Sequence, residues 1–516
     1  MCRVASFIAD LRQRGSAKPL GYGVIGSTSD SGSFSLGSSP STPADWFSRV
    51  FDEPTSGPHR LAAQDTALSR RRHGFKSRWG YKSDSLSCHR SRLFGSWQDF
   101  CSEGARVRII QVSDCFLPRM GGIETQVSRL SQELADRGHD VTVLTATFDS
   151  PLKGFEKPWE SSDERNAWVQ GAECTATGAT TAKTASPGEE GASYRVVRSG
   201  WLNPLGLPVD PRAAKRFAEY IRAQQPDVVN FHMGELTPVV MDTIRELRGE
   251  KIPTIVTIHS VWSNGPTVFG YRAGARLLGL AEEPILWAPV SELVATNVRE
   301  VVGSDQIRIM GNGINQAQWR VQPTPHSGLR AVAATRFAPR KRVPDLLRTL
   351  RKVGDQLGIN GQGSQNVLEV VLAGEGPGLS FAKRYVRDHG MEGWVKLPGR
   401  LKQEELVELY GTSDAFLAPG VKDSFSIAGR EALVAGLAVL TRSQSGLGAD
   451  LLDGVEGRSV DTDDQMAEVL VDWVRDPEMV APMKKHNLET DYRYSWDQVI
   501  PQTVSLYEEA IQRAKR

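Results

Sequence analysis

Apolar positions fall into a regular rhythm from Arg106 onward. RVRIIQVSD is a continuous apolar run of strand length, CFLPRMGG is a loop, and IETQVSRLSQELADRG carries apolar residues at helical spacing up to Gly138. DVTVLTAT reads as a second strand, so this stretch predicts a βαβ unit with a glycine pair at the first strand-to-helix turn. A long polar stretch over 148–192 interrupts the rhythm and is expected to be a mobile surface insertion. The alternation resumes with the strand YRVVRSG and the helix DPRAAKRFAEYIRAQQP. Three strand-and-turn units follow: DVVNFHMGE, TIVTIHS and ILWAPVS. VQPTPHSG reads as a linker, after which the pattern restarts. GLRAVAATRF, VLEVVLAGEGPG, WVKLPG, AFLAPG and LAVLTRS are strands separated by helices, and DQVIPQTVSLYEEAIQRAKR is a closing helix.

Two consecutive βα blocks of similar size predict an α/β fold with two doubly wound, Rossmann-like parallel sheets. The boundaries read as 106–322 for the first domain, 323–495 for the second and 496–516 for the final helix. Ligands of such sheets bind at the C-terminal ends of the strands, so the loops after the strands carry the chemical interest. Residues 1–105 do not read as a domain. STSDSGSFSLGSSPSTP is low-complexity and SRRRHGFKSR is a basic run with little apolar support. Such composition buries too little surface to offset chain entropy, and a disordered extension is expected there. An over-extended reading frame and an Arg/Ser-rich transit peptide are the competing readings.

Composition narrows the class. The chain has 516 residues, 40% apolar and 24% charged, with a formal net charge of +1. A soluble globular protein is expected, with no bulk field toward nucleic acid. Residues 1–105 carry 14 Lys/Arg against 9 Asp/Glu (net +5), leaving 48 against 52 (net −4) for the rest, so any basic patch on the folded part is local. The five cysteines, Cys2, Cys88, Cys101, Cys115 and Cys174, form no CxxC pair, which fits a reducing compartment. No apolar run reaches the roughly 18 residues of a membrane span, and MCRVASFIADLRQRG is too short in its apolar part for a secretory signal. A cytoplasmic protein is expected, at most peripheral on the inner face of a membrane.

Three loops could carry chemistry. Gly121 and Gly122 in MGGIET would let backbone N–H groups approach a phosphate at a helix N-terminus, or serve a tight turn that needs positive φ. Arg336 and Lys341 in TRFAPRKR suit a diphosphate, the first as a fork and the second as a point charge; an ordinary basic turn is the plain alternative. In DSFSIAGREALVAG, Ser424 and Ser426 are expected caps for a helix starting near Ile427. Glu431 lies about one turn into that helix, where a carboxylate could accept from a ribose diol. Asp423 sits in the preceding loop, where it could hold sugar hydroxyls; two solvated acids flanking a helix start is the alternative. AGEGPG is a weak dinucleotide fingerprint, and there is no GxxxxGK[ST] or HExxH. His232 and His259 each end an apolar strand; a lone histidine there is usually structural, but two at adjacent strand ends raise the functional reading.

Taken in order, these elements resemble glycosyltransferase family 4, retaining enzymes of the GT-B fold, over about residues 106–512. The resemblance implies that Gly121 and Gly122 cover the donor diphosphate and that Arg336 and Lys341 bind it. It implies that Asp423 and Glu431, at the family's E-x7-E positions, contact the donor sugar and the ribose, with Ser424, Phe425, Ser426 and Ile427 lining the donor. His232 would lie near the transferred sugar, His259 on the acceptor side, and Gly399 and Arg400 in LPGR near the base. Val290–Glu292 and Asn312–Ile314 match further family patterns, and the final helix would cross back to the first domain. Two positions depart from the pattern: Asp423 where the family has Glu, and Ser426 where it commonly has Gly. The activity implied is metal-independent transfer of a hexosyl group from a nucleoside-diphosphate sugar, a co-substrate rather than a cofactor, to a glycan, lipid or small-molecule hydroxyl. No nucleic-acid partner is expected. The acceptor region is expected in the insertion and in SVWSNGPTVFGYRAGAR. The competing readings are another GT-B enzyme (a phosphorylase or an epimerase), a non-catalytic sugar-nucleotide-binding scaffold, and an NAD-dependent oxidoreductase.

Overall fold

The structure is a computed structural model that describes residues 106–147 except 118 and 120, 179–181, 193–199, 212–361 except 264, and 367–515. The expectations for residues 1–105, for Met120 and for most of the polar stretch 148–192 lie outside these residues.

The first sheet contains β1 (Arg108–Ser113), β2 (Asp140–Thr145), β3 (Ala179–Thr181), β4 (Arg195–Arg198), β5 (Val228–Met233), β6 (Thr254–Ile258) and β7 (Leu286–Pro289). Its order is β3-β4-β2-β1-β5-β6-β7. Every pairing is parallel except that of β3, which adds antiparallel to the edge at β4. That short edge strand lies inside the stretch expected to be an unstructured insertion.

The second sheet contains β8 (Leu329–Ala334), β9 (Leu368–Ala373), β10 (Val395–Gly399), β11 (Ala415–Ala418), β12 (Ala438–Arg442) and β13 (Gly457–Val460). Its order is β10-β9-β8-β11-β12-β13, parallel throughout. Counted within their own blocks, the parallel strands of both sheets follow the doubly wound order 3-2-1-4-5-6. Helices cover both faces of such sheets, so β5 and β11 are buried along their full length; β11 reads as a continuous apolar run, and β5 carries Asn230 and His232 in its buried interior.

That order fixes where a ligand belongs. The chain reverses direction across the sheet between β1 and β5 in the first domain, and between β8 and β11 in the second. The C-terminal ends of those four strands and the loops leaving them hold the glycine pair, His232 (near the end of β5), the Arg336–Lys341 loop and Asp423–Ser426.

Helix α1 (Gly122–Asp136) follows the glycine pair, and α2 (Pro238–Glu246) follows β5. Helix α3 (Gly265–Leu277) occupies the segment expected as an acceptor loop; its three glycines broke the apolar spacing in the sequence. Helix α4 (Ile427–Val434) opens after the acidic loop. The last helix, α5 (Trp496–Ala514), returns to the first domain. Trp496, Val499, Ile500 and Tyr507 share one apolar cluster with Ile109, Val127, Val143 and Leu286. Each such buried large side chain is worth about 2–3 kcal/mol in area removed from water. A second cluster runs without a break from Val112 and Phe231 through Ile314 and Trp319 to Tyr410 and Phe425, tying the two domains together. Among the described residues no helix is long and apolar enough to cross a membrane.

Candidate active site

The glycine loop is shaped by a carboxylate. Gly121 is the cap residue of α1, with an extended backbone (φ −170°), and neither Gly121 nor Gly122 has positive φ. The tight-turn reading therefore falls; Gly121 makes room for a carboxylate, while Gly122 has space for an ordinary side-chain contact. A Cβ on Gly121 would lie 2.3 Å from Glu124 Oε2, and one on Gly122 would lie 3.5 Å from Ile427 Cδ1 of the second domain. Glu124 is buried, 3.6 Å from Arg119. Burial pushes its carboxyl above the ordinary range, while Arg119 and Arg336 pull the other way.

Facing this loop, Arg336 is solvent-exposed on the turn after β8. AGEGPG carries that turn. Gly374 and Gly376 have φ of 139° and 146°, and a Cβ on them would meet Thr335 O at 1.9 Å and Phe337 O at 2.7 Å. These glycines let two backbones touch, which accounts for them without a dinucleotide. Gly399 (φ 88°) closes β10 beside this turn, its carbonyl accepting from Gly374 N at 2.7 Å, and exposed Arg400 pairs with Glu375 at 3.4 Å.

Lys341 ends a short 3₁₀ turn, Pro339–Lys341, and its Nζ lies 2.8 Å from Asp423 Oδ2. The two side chains are about three-quarters buried. Arg342, with left-handed backbone, clamps the base of the turn through Asp463 (2.6 Å) and the Pro419 carbonyl (3.2 Å). Arg340 reaches Glu235 of the first domain at 4.0 Å.

The acidic loop departs from two expectations. Neither serine caps α4. Ser424 Oγ donates instead to the His259 carbonyl at 2.6 Å, across the domain boundary. Ser426 stands at the cap position with φ 57° and ψ 67° and makes no side-chain cap bond. The Phe425 side chain points into the interior, where the expectation had it lining a donor: it is 2% exposed and packs edge-on against Tyr494 at 5.2 Å. The fully buried Arg430 guanidinium lies between those two rings, 3.9 and 4.4 Å from their centroids. It donates to Phe425 O, Asp450 and Tyr492, so it holds the loop's backbone from below. Ile427 meets the glycine loop, and Glu431 follows one turn into α4. Burial pushes the Glu431 carboxyl up to about 8, with Arg129 of the first domain opposing.

His232 is 1% exposed and both ring nitrogens are engaged, Nδ1 with His259 Nε2 at 2.9 Å and Nε2 with Gln111 Oε1 at 2.7 Å. Burial holds both histidines neutral, His259 down to about 4 and His232 well below its ordinary value. His232 therefore stands as part of the wall behind the site, without a ring nitrogen presented to a sugar in this state. Gln111, Glu124 and Arg430 escaped the sequence reading. Each lies within an ordinary strand or helix pattern, and only Glu124, next to the glycine pair, carried a local signal.

Two parallel sheets with their switch-point loops facing one another, one supplying glycines and a helix N-terminus and the other cations and acids, define the GT-B class of sugar-transferring enzymes. The profile of Glycosyltransferase Family 4 matches residues 120–318, and that of Glycosyl transferases group 1 matches residues 316–489. The chain belongs to this glycosyltransferase family. It is similar to the phosphatidyl-myo-inositol mannosyltransferase of Mycolicibacterium smegmatis, at 24% identity over 75% of this chain and 90% of that protein. It is similar to the glycogen synthase of Mycobacterium tuberculosis, at 24% identity over 78% of this chain and 94% of that protein. Among solved structures, sucrose-phosphate synthase from Thermosynechococcus elongatus superposes with a TM-score of 0.57 at 17% identity, over 79% of this chain and all of that one. HepE of Anabaena in complex with UDP gives 0.55 at 14% identity, over 78% and 99%. The chain is an enzyme that transfers sugars.

Proposed function

We propose that this glycosyltransferase is a retaining, metal-independent hexosyltransferase that uses a nucleoside-diphosphate sugar. The observation that carries the reading is the Lys341–Asp423 pair at the second sheet's switch point, with Arg336 on the same loop and the glycine loop opposite. Breaking the anomeric C–O bond passes through an oxocarbenium-like state and leaves negative charge on the diphosphate. Arg336, Lys341, the main-chain N–H groups at Gly121 and Gly122 and the α1 N-terminus would hold that charge. Asp423 would turn to the sugar hydroxyls once phosphate takes over Lys341. Glu431, ionised, would accept from the ribose diol, and Gly399 and Arg400 would flank the base. Same-face attack, with the leaving phosphate taking the acceptor proton, needs no nucleophile from the protein. The mannosyltransferases among the relatives, one of them GDP-mannose-dependent, and the UDP-glucose complex of HepE support a hexosyl donor.

The acceptor is a hydroxyl of a glycan, lipid or small molecule. Helix α3 exposes Phe269 and Leu277 beside Arg272 and Arg276, which supports peripheral contact with an anionic membrane face. The test is thermal-shift binding of UDP-, GDP- and ADP-sugars, followed by transfer assays with the anomeric configuration of the product read by NMR. Binding without turnover in both the wild type and Asp423→Glu would support the scaffold reading instead. That second reading draws on Asp423 being already engaged by Lys341 and on the strained backbone of Ser426.

A further inference from the structure

The two histidines belong to a longer buried polar chain. The Tyr507 hydroxyl, on α5, accepts from Gln111 Nε2 at 3.1 Å and from Asn230 Nδ2 at 3.3 Å. Gln111 Oε1 meets His232 Nε2, His232 Nδ1 meets His259 Nε2, and the Asn312 side chain is the further polar partner of His259. Gln111 and Asn230 are 0% exposed and face each other across β1 and β5. The chain thus runs from the last helix, through three neighbouring strands, to the segment that leads into the second domain.

A neutral imidazole has one N–H and one lone pair, so each bond here dictates the next. With Gln111 Oε1 toward His232, the proton sits on His232 Nε2, its Nδ1 accepts, and His259 must carry its proton on Nε2. Turning the Gln111 amide over reverses every donor: Tyr507 gives to Gln111, Gln111 to His232 Nε2, and both rings carry the proton on Nδ1. One amide therefore sets both tautomers together. The histidine at the end of this order also anchors the donor loop, through its main chain: the His259 carbonyl, on the residue whose ring is held by this order, receives the Ser424 hydroxyl at 2.6 Å.

We propose that Gln111 and Tyr507 are positioning residues for sugar transfer. They hold the His232–His259 pair in one tautomeric order and so fix the seat on which Ser424, and with it the Asp423 carboxylate, docks. The kinetic part rests on the reading of Asp423 as the sugar-facing acid. Diphosphate contacts carry donor affinity, so a displaced Asp423 lowers turnover more than it weakens donor binding.

Two variants test this. Gln111→Leu removes the amide at similar volume, and Tyr507→Phe keeps the ring packing and removes the hydroxyl. The expected result is a drop in kcat of about tenfold or more in Gln111→Leu and less in Tyr507→Phe, with donor KM within about threefold. In ¹⁵N-histidine-labelled protein, with signals assigned through His232→Gln and His259→Gln, wild-type His232 and His259 should share a single tautomer, and Gln111→Leu, which keeps the bond between the rings but removes what selects its direction, should turn both signals into a mixture of the two orders. Wild-type kcat in both variants, or histidine signals that do not respond to Gln111→Leu, overturns the proposal. If the wild type transfers no sugar at all, the function reading has failed; the ring signals then decide the relay by themselves, upheld by coupled tautomers and overturned by independent ones.

Discussion

The ammonium of Lys341 stands 2.8 Å from the carboxylate of Asp423, so two side chains expected at opposite ends of a sugar donor hold each other. The shorter acid is no obstacle to this contact. On the proposed function, donor binding would exchange this one ion pair for two interactions, Lys341 with phosphate and Asp423 with sugar.

Lys341→Ala should cost on the order of 10²–10³ in kcat, the scale of losing one charge-stabilising donor. The fold should tolerate it, because both side chains keep a solvent-facing part and water can reach Asp423 once the ammonium is gone. Transfer kinetics beside a thermal melt check both halves, and near-normal rates would remove Lys341 from the diphosphate site.

Ser426→Gly should stabilise the protein. The left-handed backbone at φ 57° costs a side chain that glycine does not carry, roughly 1 kcal/mol, and no cap bond is lost in the exchange. An upward shift of the urea midpoint at unchanged slope is the expected reading; a downward shift would mean that the hydroxyl has a partner of its own.

Glu431 should make stability and nucleotide binding depend on pH in opposite directions. Its folded pKa of about 8 lies above the 4.5 of an unperturbed glutamate, so the folded state holds the proton longer. Its contribution to stability is fully present below about pH 4.5 and is lost as pH rises through about 8. Accepting from a ribose diol needs the ionised form, so UDP affinity should rise between about pH 6.5 and 8.5 as the carboxyl loses its proton. Calorimetry on the wild type and Glu431→Gln compares the two; an equally steep rise in the variant would move the effect elsewhere.

Arg430→Met should destabilise by roughly 3–5 kcal/mol, because Asp450 loses a buried partner and the Phe425 carbonyl loses its donor. Arg430→Lys should not restore the loss, since a compact ammonium cannot lie flat between the Phe425 and Tyr494 rings. Denaturant unfolding of the two variants decides, and full rescue by lysine would show that charge alone matters there.

What the sequence disclosed was whatever is local in it. Strand runs, glycines at a helix start, a cation pair five residues apart and acids eight apart sit within single loops, and the two sheets bring those loops to their switch points. Contacts made at long range left no such trace. Gln111 and Tyr507 are 396 positions apart, and each looks like an ordinary residue of its own element. Ser424 has the composition of a helix cap and is drawn off by a carbonyl from the other domain. Phe425 reads as a donor-lining aromatic, but Arg430 offers its ring a cation from the interior, and the side chain turns inward.

The return of α5 to the first domain has a consequence for how the molecule is made. Trp496, Val499 and Tyr507 fill the core beside α1, β5 and β6, so the domain synthesised first lacks part of its interior until residues 496–514 leave the ribosome. The second domain has most of its own core strands in hand by then, and it should be the earlier of the two to become protease-resistant on the nascent chain. Trimming the extreme C-terminus should accordingly loosen the half of the enzyme most distant from it in sequence.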